Sequence, residues 1–214
     1  MTRHDHILTW IERLLLLAGG LLLAAWAATV LEARGYGMWQ ERRLDRMIRM
    51  GPSASEPRAA LGDEPGTGLG PAPKRADELV GRLEVPRLGL RAIVAEGVSS
   101  ATLRRAVGHV PGTALPGESG NVVMAGHRDT FFRPLKDVKP GDAVQLTTPQ
   151  GRFEYTVEST EVVEPDRTDV LDAAGGATLT LVTCYPFYLV GHAPERFVVR
   201  ARQVASARPE AALP

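Results

Sequence analysis

Two hydrophobic patterns divide this chain. Residues 14–31 form one uncharged, mostly apolar run, LLLLAGGLLLAAWAATVL, whereas residues from about 77 onward show short segments in which apolar and polar positions alternate. A continuous apolar run of this length is typical of a membrane helix, and alternation with a period of two is typical of β-strands. The chain is therefore predicted to combine an N-terminal transmembrane helix with a mainly β domain.

The apolar run predicts an anchor at residues 14–31, preceded by a cytoplasmic segment at residues 1–13. As a helix, 18 residues would extend about 27 Å, close to a hydrocarbon core of about 30 Å. A buried core helix and a cleaved signal peptide are the alternatives, the second because Ala25-Trp26-Ala27 has a small-x-small form. The run exceeds the usual signal core, which favours a retained anchor.

The basic residues on the two sides of this run bear on its orientation in the membrane. Two arginines precede it, whereas five follow it within residues 34–49. By the positive-inside rule, this excess places the C-terminal domain in the cytoplasm, although a long folded domain can translocate regardless of such charges. Residues 32–50 are predicted to form a juxtamembrane helix with its arginines near anionic headgroups.

Composition then separates a linker from the β domain. Ten of the 26 residues at 51–76 are Gly or Pro, which is typical of a flexible or extended tether. The domain is predicted at residues 77–204 and a disordered tail at residues 205–214. Helices are expected near residues 99–107, capped by Ser99 or Ser100, and near residues 129–136. Strands are predicted at residues 79–86, 90–96, 121–125, 143–147, 152–163, 177–183 and 196–202, which favours a closed barrel or a sandwich.

Charge and cysteine content narrow the function. Lys plus Arg and Asp plus Glu each number 25, so there is no basic excess to favour nucleic-acid binding. Cys184 is the single cysteine, which excludes an intramolecular disulfide and a Cys-rich zinc site. It stands at the end of an alternating strand, TLVTC, where a rigid backbone can hold a nucleophile and the strand end leaves its sulfur accessible.

Two further residues complete a candidate catalytic set. His127 follows an apolar strand directly after Gly126, and Arg196 opens the last strand. An imidazolium near a thiol favours the thiolate and can later protonate a leaving amine. An arginine cannot act as a base, but its guanidinium can stabilise the oxyanion of a tetrahedral intermediate.

These residues resemble the sortase family. Residues 180–184, TLVTC, match the T-L-x-T-C signature, Gly126-His127 matches the sequence around the family's catalytic histidine, and Arg196 falls on its arginine. The resemblance covers roughly residues 79–202, and the GHRDT and TCYPF forms most resemble class D.

The resemblance implies an eight-stranded β-barrel with short helices and a groove at its rim. It implies a cysteine transpeptidase, without cofactor or metal, on the outer side of the cell membrane. Cys184 would cleave an LP-x-T sorting signal near the C-terminus of an exported protein through a thioacyl-enzyme. An amine on a peptidoglycan precursor or another protein would then accept the acyl group. A cysteine endopeptidase with water as acceptor and a non-catalytic peptide-binding barrel are the alternatives.

Several residues have two interpretations. Thr183 is expected either to assist the oxyanion or contact substrate, or to pack its methyl group within its strand. Asp129 is expected to orient His127 or to cap a helix. Leu189 is expected either to line a substrate groove, with Phe187 and Tyr188, or to tuck under the barrel rim. His109 and His192 are expected in loops or on the surface. A zinc site made of His109, His127 and Cys184 is a minor alternative.

Overall fold

The computed structural model describes residues 3–50, 77–172, 176–189 and 191–207. The predicted linker at residues 51–76 lies outside these ranges, as do residues 1–2 and residues 208–214 of the predicted tail. Those predictions stay predictions.

Eight strands in the described part of the chain form a closed barrel in the order β1-β2-β3-β4-β7-β8-β6-β5. The mainly β prediction is confirmed, and the barrel is favoured over the sandwich. The strands are β1 Leu79–Val85, β2 Leu90–Glu96, β3 Val107–His109, β4 Gly120–Ala125, β5 Ala143–Thr148, β6 Gly151–Val163, β7 Ala177–Tyr185 and β8 Glu195–Ala207.

Alternation along the strands fills the barrel. In β7, Leu179 and Leu181 point inward and join a core to which all eight strands contribute, together with Phe132 and Leu135 between β4 and β5. Val182 is the next residue after Leu181. It packs instead against an outer apolar cluster that contains Val163 and Val198. Successive side chains of a strand point to opposite faces, so burial of one set determines which residues face outward.

Short helices connect these strands. Helix α2, Ser100–Arg105, is capped by Ser99, whose hydroxyl accepts a hydrogen bond from the Thr102 amide. The second predicted helix is a 3₁₀ turn, Arg133–Asp137, shorter than expected. Two further 3₁₀ turns are Pro86–Leu88 and Asp169–Leu171. The 3₁₀ turn Arg133–Asp137 contains a proline at its start, which fits a chain that turns without extending into a regular helix.

The boundaries of the β domain differ from prediction at two places. Strand β3 was not predicted, because three residues with a central glycine are too few to show an alternating pattern. Strand β8 continues to Ala207 by pairing with β6, so residues 205–207 of the predicted tail belong to the barrel. A partner strand supplied the hydrogen bonds that local composition did not indicate.

The N-terminal helix α1, Arg3–Met50, includes both the predicted anchor and the predicted juxtamembrane helix. Within the described residues, no helix combines the length and the apolar character that a membrane span requires. Trp26 and residues 28–31 of the predicted anchor lie outside the residues whose side chains are described. The transmembrane prediction is therefore not confirmed.

The last turns of α1 pack against the barrel. Leu44 is buried against Leu79 and Ile93, and Glu41 accepts a hydrogen bond of 3.0 Å from Arg91 Nε. This end of the helix therefore contacts protein on the β1–β2 side, in addition to any contact with headgroups that the sequence suggested. Strand β7 lies four strands away from β1 around the barrel, so α1 leaves the β7 side uncovered.

Candidate active site

Three neighbouring strands bring the sequence-predicted residues together. Strand β4 pairs in parallel with β7, up to Ala125 opposite Val182. The pairing continues beyond β4, because the Gly126 amide donates to the Val182 carbonyl at 3.1 Å. Continued for two more residues, this register would set His127 opposite Cys184.

Arg196 approaches from the other side of β7. Strand β8 runs antiparallel to β7, and Arg196 lies directly opposite Cys184 in the register. Side chains of directly opposed residues in antiparallel strands lie close enough to interact. Cys184 thus has Arg196 opposite it on β8, and His127 follows β4, the strand on the other side of β7.

All three side chains belong to the outer face of the barrel wall. Cys184 is two residues from Val182, and Arg196 is two residues from Val198, and both valines belong to the outer cluster. His127 is likewise two residues from Ala125, whose neighbour Met124 lies in the core. A period of two places each residue on the same face as its reference. The three are partly exposed, and a substrate can reach them.

The guanidinium of Arg196 retains donors for a ligand. Its Nη1 donates to the carbonyls of Ala193 at 3.3 Å and Glu195 at 3.0 Å. Among the described residues, Nε and Nη2 make no hydrogen bond. Because a guanidinium carries five N–H donors, this arrangement orients the group and leaves donors to receive a developing oxyanion.

Cys184 and His127 are similarly available. The thiol of Cys184 is a free, partly exposed cysteine. The His127 ring makes no hydrogen bond within the described ranges, while its backbone carbonyl accepts from the Phe132 amide at 3.1 Å. A fixed backbone with an uncommitted ring suits an imidazole that exchanges a proton with a neighbouring thiol.

Thr183 has a structural partner. It is buried, and its hydroxyl donates to the Gly126 carbonyl at 2.7 Å. This bond joins the ends of β7 and β4 at the residues immediately before Cys184 and His127. The packing interpretation of Thr183 is therefore favoured, and its hydroxyl acts on the backbone that supports the site.

Gly126 admits an aromatic ring. A Cβ atom at this position would lie 2.8 Å from the Phe132 ring, well inside normal contact distance. The absence of a side chain at Gly126 therefore leaves room for the Phe132 ring. Asp129 is exposed, and in the described part of the chain its carboxylate neither bonds to His127 nor caps the following 3₁₀ turn.

Two polar side chains that the sequence analysis assigned no role hold the loops beside the site. Asn121 donates from Nδ2 to the carbonyls of Leu171 at 3.1 Å and Asp172 at 3.3 Å, in the loop between β6 and β7. Arg128 donates to three carbonyls in the loop between β7 and β8. Two sequence signals could have identified these residues. Asn121 is a polar residue inside an apolar strand, and Arg128 is an arginine next to the candidate catalytic histidine.

In the loop after Cys184, one residue packs under the barrel rim and two face solvent. Phe187 is buried and packs edge-on against Phe197, with ring centroids 5.3 Å apart. Tyr188 and Leu189 are 72% and 42% exposed. The rim-packing interpretation therefore holds for Phe187, whereas Tyr188 and Leu189 face solvent and are free to contact a ligand.

His109 is not in a loop or on the surface, so that prediction was wrong. It is 1% exposed, with Nδ1 2.8 Å from Glu96 Oε2 and Nε2 3.0 Å from the Ala114 carbonyl. Burial required partners for both ring nitrogens, and Glu96 on the neighbouring strand supplies one. The described residues contain no group of three metal-ligating side chains, so the zinc alternative has no support. His192 is exposed, as expected.

Comparison with known proteins gives consistent results. A family model described as the sortase domain matches residues 83–204. Sortase D of Bacillus subtilis (strain 168) is 35% identical over 125 residues, covering 58% of this chain and 63% of the relative. Sortase A of Listeria monocytogenes is 33% identical over 112 residues, covering 50% of each chain. The chain thus spans between half and two thirds of the length of these relatives.

Solved structures show the same fold. A sortase D5 transpeptidase of Clostridium perfringens has a TM-score of 0.56 at 29% identity, covering 61% of this chain and 82% of that one. Sortase E1 of Streptomyces coelicolor, solved with a tripeptide in its active site, has a TM-score of 0.59 at 30% identity, covering 64% and 95%.

Proposed function

Because this chain belongs to the sortase family, we propose that it is a cysteine transpeptidase with Cys184 as nucleophile, His127 as proton donor and acceptor, and Arg196 as oxyanion stabiliser. One observation supports the proposal: Arg196 lies opposite Cys184 in the β7–β8 register, and β4, which His127 follows, pairs with β7 on the other side. A surface cysteine without a catalytic role would not require a histidine and an arginine on the neighbouring strands.

The chemistry follows from these positions. The thiolate of Cys184 attacks the carbonyl carbon of the scissile amide, and Arg196 donates hydrogen bonds to the resulting oxyanion. The imidazolium of His127 protonates the leaving amine as the carbon–nitrogen bond breaks, which leaves a thioacyl-enzyme. Neutral His127 then accepts a proton from an incoming amine as it attacks the thioester, and Cys184 leaves as thiolate.

The substrate we propose is an LP-x-T sorting signal on an exported protein, with an amine of a peptidoglycan precursor or another protein as acceptor. A wall of apolar side chains suits the leucine and proline of such a signal. Val182, two residues before Cys184, is partly exposed, and the exposed Leu189 lies in the loop that follows Cys184. The similar Streptomyces coelicolor structure, with a tripeptide in its active site, agrees with a peptide ligand.

We further propose that α1 anchors the protein in the membrane, with the barrel outside the cytoplasm. Seven leucines of this helix are 63–73% exposed, namely Leu14, Leu15, Leu16, Leu17, Leu21, Leu22 and Leu23. An apolar surface of this extent requires a partner, and a bilayer provides one. Alkaline extraction of membranes that contain the full chain tests this proposal: the protein should remain in the pellet, and its release would contradict an inserted anchor.

Mass spectrometry tests the catalytic proposal. The protein is incubated with an LP-x-T peptide, and an acyl adduct is expected on Cys184, with release of the C-terminal fragment. Cys184→Ala should form no adduct, and His127→Ala should form it far more slowly. Absence of the adduct in the wild type, or its persistence in Cys184→Ala, would contradict nucleophilic catalysis and favour a peptide-binding barrel.

Product analysis separates the transpeptidase from an endopeptidase. Both share the thioacyl-enzyme, and only the second nucleophile differs. Added primary amine should divert the product from free acid to amide in proportion to its concentration. A product that stays free acid at saturating amine would favour water as the natural acceptor.

A further inference from the structure

Arg128 is a buried charge that the proposed chemistry does not use. Its side chain is 8% exposed. Nη1 donates to the Pro186 carbonyl at 3.0 Å, and Nη2 donates to the carbonyls of Leu189 at 2.6 Å and Gly191 at 2.8 Å. Burial of a guanidinium is costly unless hydrogen bonds compensate it, and here loop carbonyls supply them.

These three bonds span the β7–β8 loop, of which residues 186–189 and 191–194 are described, and few other hydrogen bonds hold these described residues. Phe187 fixes one end by packing in the core, and the Ala193 carbonyl, bound by Arg196, fixes the other. Between them, the backbone bond from the Leu189 amide to the Pro186 carbonyl is long, at 3.4 Å. The Lys136 ammonium also reaches Tyr188, although Asp137 is the larger cause of the raised pKa of Lys136.

The loop begins two residues after Cys184, and Arg128 follows His127 directly. The guanidinium therefore connects the backbone that carries the imidazole to the loop that follows the thiol. It shapes the stretch that presents Tyr188 and Leu189 to solvent. A planar guanidinium can bond several carbonyls in one plane, whereas the ammonium of a lysine cannot reproduce this arrangement.

We propose that Arg128 is a positioning residue that holds the β7–β8 loop in the shape that receives the peptide substrate. This inference rests on the proposed function. If the loop samples other shapes without Arg128, peptide binding must first select the competent one, and the apparent affinity falls by the fraction of competent molecules. Attack by Cys184 within the bound complex is then unaffected. Arg128 should accordingly govern KM much more than kcat.

Arg128→Gln and Arg128→Lys test this role, with Arg133→Gln as the matched control. Arg133 lies five residues further along the chain and is exposed. Both Arg128 variants should raise KM for an LP-x-T peptide by about tenfold, the effect of a loop that is competent about a tenth of the time. In a Cys184→Ala background, Arg128→Gln should weaken binding of the intact peptide by a similar factor. Arg133→Gln should change neither quantity.

Two measurements identify the loop as the cause. Amide hydrogen exchange in the β7–β8 loop should accelerate in the Arg128 variants, with β4 and β7 as protected as in the wild type. Alkylation of Cys184 by iodoacetamide should keep its wild-type rate, because a small reagent does not need the loop. Loss of protection throughout the barrel would show a general folding defect and overturn the positioning role.

Other outcomes would also decide whether Arg128 positions the loop. A fall in kcat with unchanged KM and binding would assign Arg128 to the support of His127 and overturn the inference, as would an unchanged loop exchange rate. Failure of the proposed function is distinguishable, since it would appear in the wild type as absence of the Cys184 adduct, whereas the exchange measurement does not depend on catalysis.

Discussion

The two faces of strand β7 differ in what they do, although one backbone carries both. The inward residues Leu179 and Leu181 are buried in the core of the barrel. The outward residues Val182 and Cys184 are partly exposed, and Cys184 lies beside the two other candidate catalytic residues. Burial of the inward leucines therefore fixes the position of the outward face that carries Cys184.

The reason is the period of two. A slip of one residue in the register of β7 would turn Cys184 into the core and Leu181 toward solvent. The free energy of burying leucines therefore opposes any change in the position of the thiol. Substitution of Cys184 or of Arg196, which are partly exposed, should alter chemistry with little effect on stability, and substitution of a buried inner leucine should do the reverse.

Removal of the outer guanidinium should have the largest effect. Arg196→Gln should lower kcat by about 10²–10³-fold, the range found when an oxyanion donor is lost. Its denaturation midpoint should stay close to that of the wild type, because the bonds from Nη1 to Ala193 and Glu195 are at a partly exposed position. Steady-state kinetics and urea denaturation check both parts. A large loss of stability would show that the outer face also holds the fold.

Truncation of an inner side chain should act on stability. Leu181→Ala should lower the free energy of unfolding by about 3 kcal/mol, since it removes buried methyl groups and leaves a cavity. Thiol alkylation at Cys184 should proceed at the wild-type rate below the transition, because the outer face of folded molecules is unchanged. Urea denaturation measures the first effect. A stability loss well below 1 kcal/mol would contradict the assigned packing of Leu181.

A polar atom inside the barrel offers the smallest and sharpest test. Tyr155 is buried, and its hydroxyl has no hydrogen-bond partner within the described ranges. Tyr155→Phe should change stability by at most about 1 kcal/mol, and in the favourable direction, because no hydrogen bond is lost. Thermal unfolding at neutral pH measures this change, and a clear loss would reveal a bond to this hydroxyl.

The same variant has a defined pH signature. Burial raises the pKa of Tyr155 to about 12. The folded state therefore holds its proton more tightly than the unfolded state, where the pKa is about 10. The protein should lose stability as the pH rises between these values, and the difference between wild type and Tyr155→Phe should grow in that window. A difference that stays constant across it would contradict the burial of an ionisable phenol.

Local pattern was sufficient for much of the barrel and for the identity of the candidate residues. Seven of the eight strands followed from alternation and turn residues. The helix cap was predicted at Ser99 or Ser100, and it is Ser99. Cys184, His127 and Arg196 could be named because each stands at the end of an alternating segment. Each of these signals is contained within a few consecutive residues, because burial and turn geometry restrict which residue types a short segment can have.

The tertiary structure decided everything that depends on a distant partner. Strand β3 exists because β2 and β4 pair with it, and the end of β8 because β6 does. Arg128 bonds carbonyls about 60 residues away, and His109 is buried because Glu96 lies on the adjacent strand. Sequence alone establishes which face of a strand is apolar. Which strands become neighbours depends on residues far apart in the sequence, and this pairing establishes which polar groups meet.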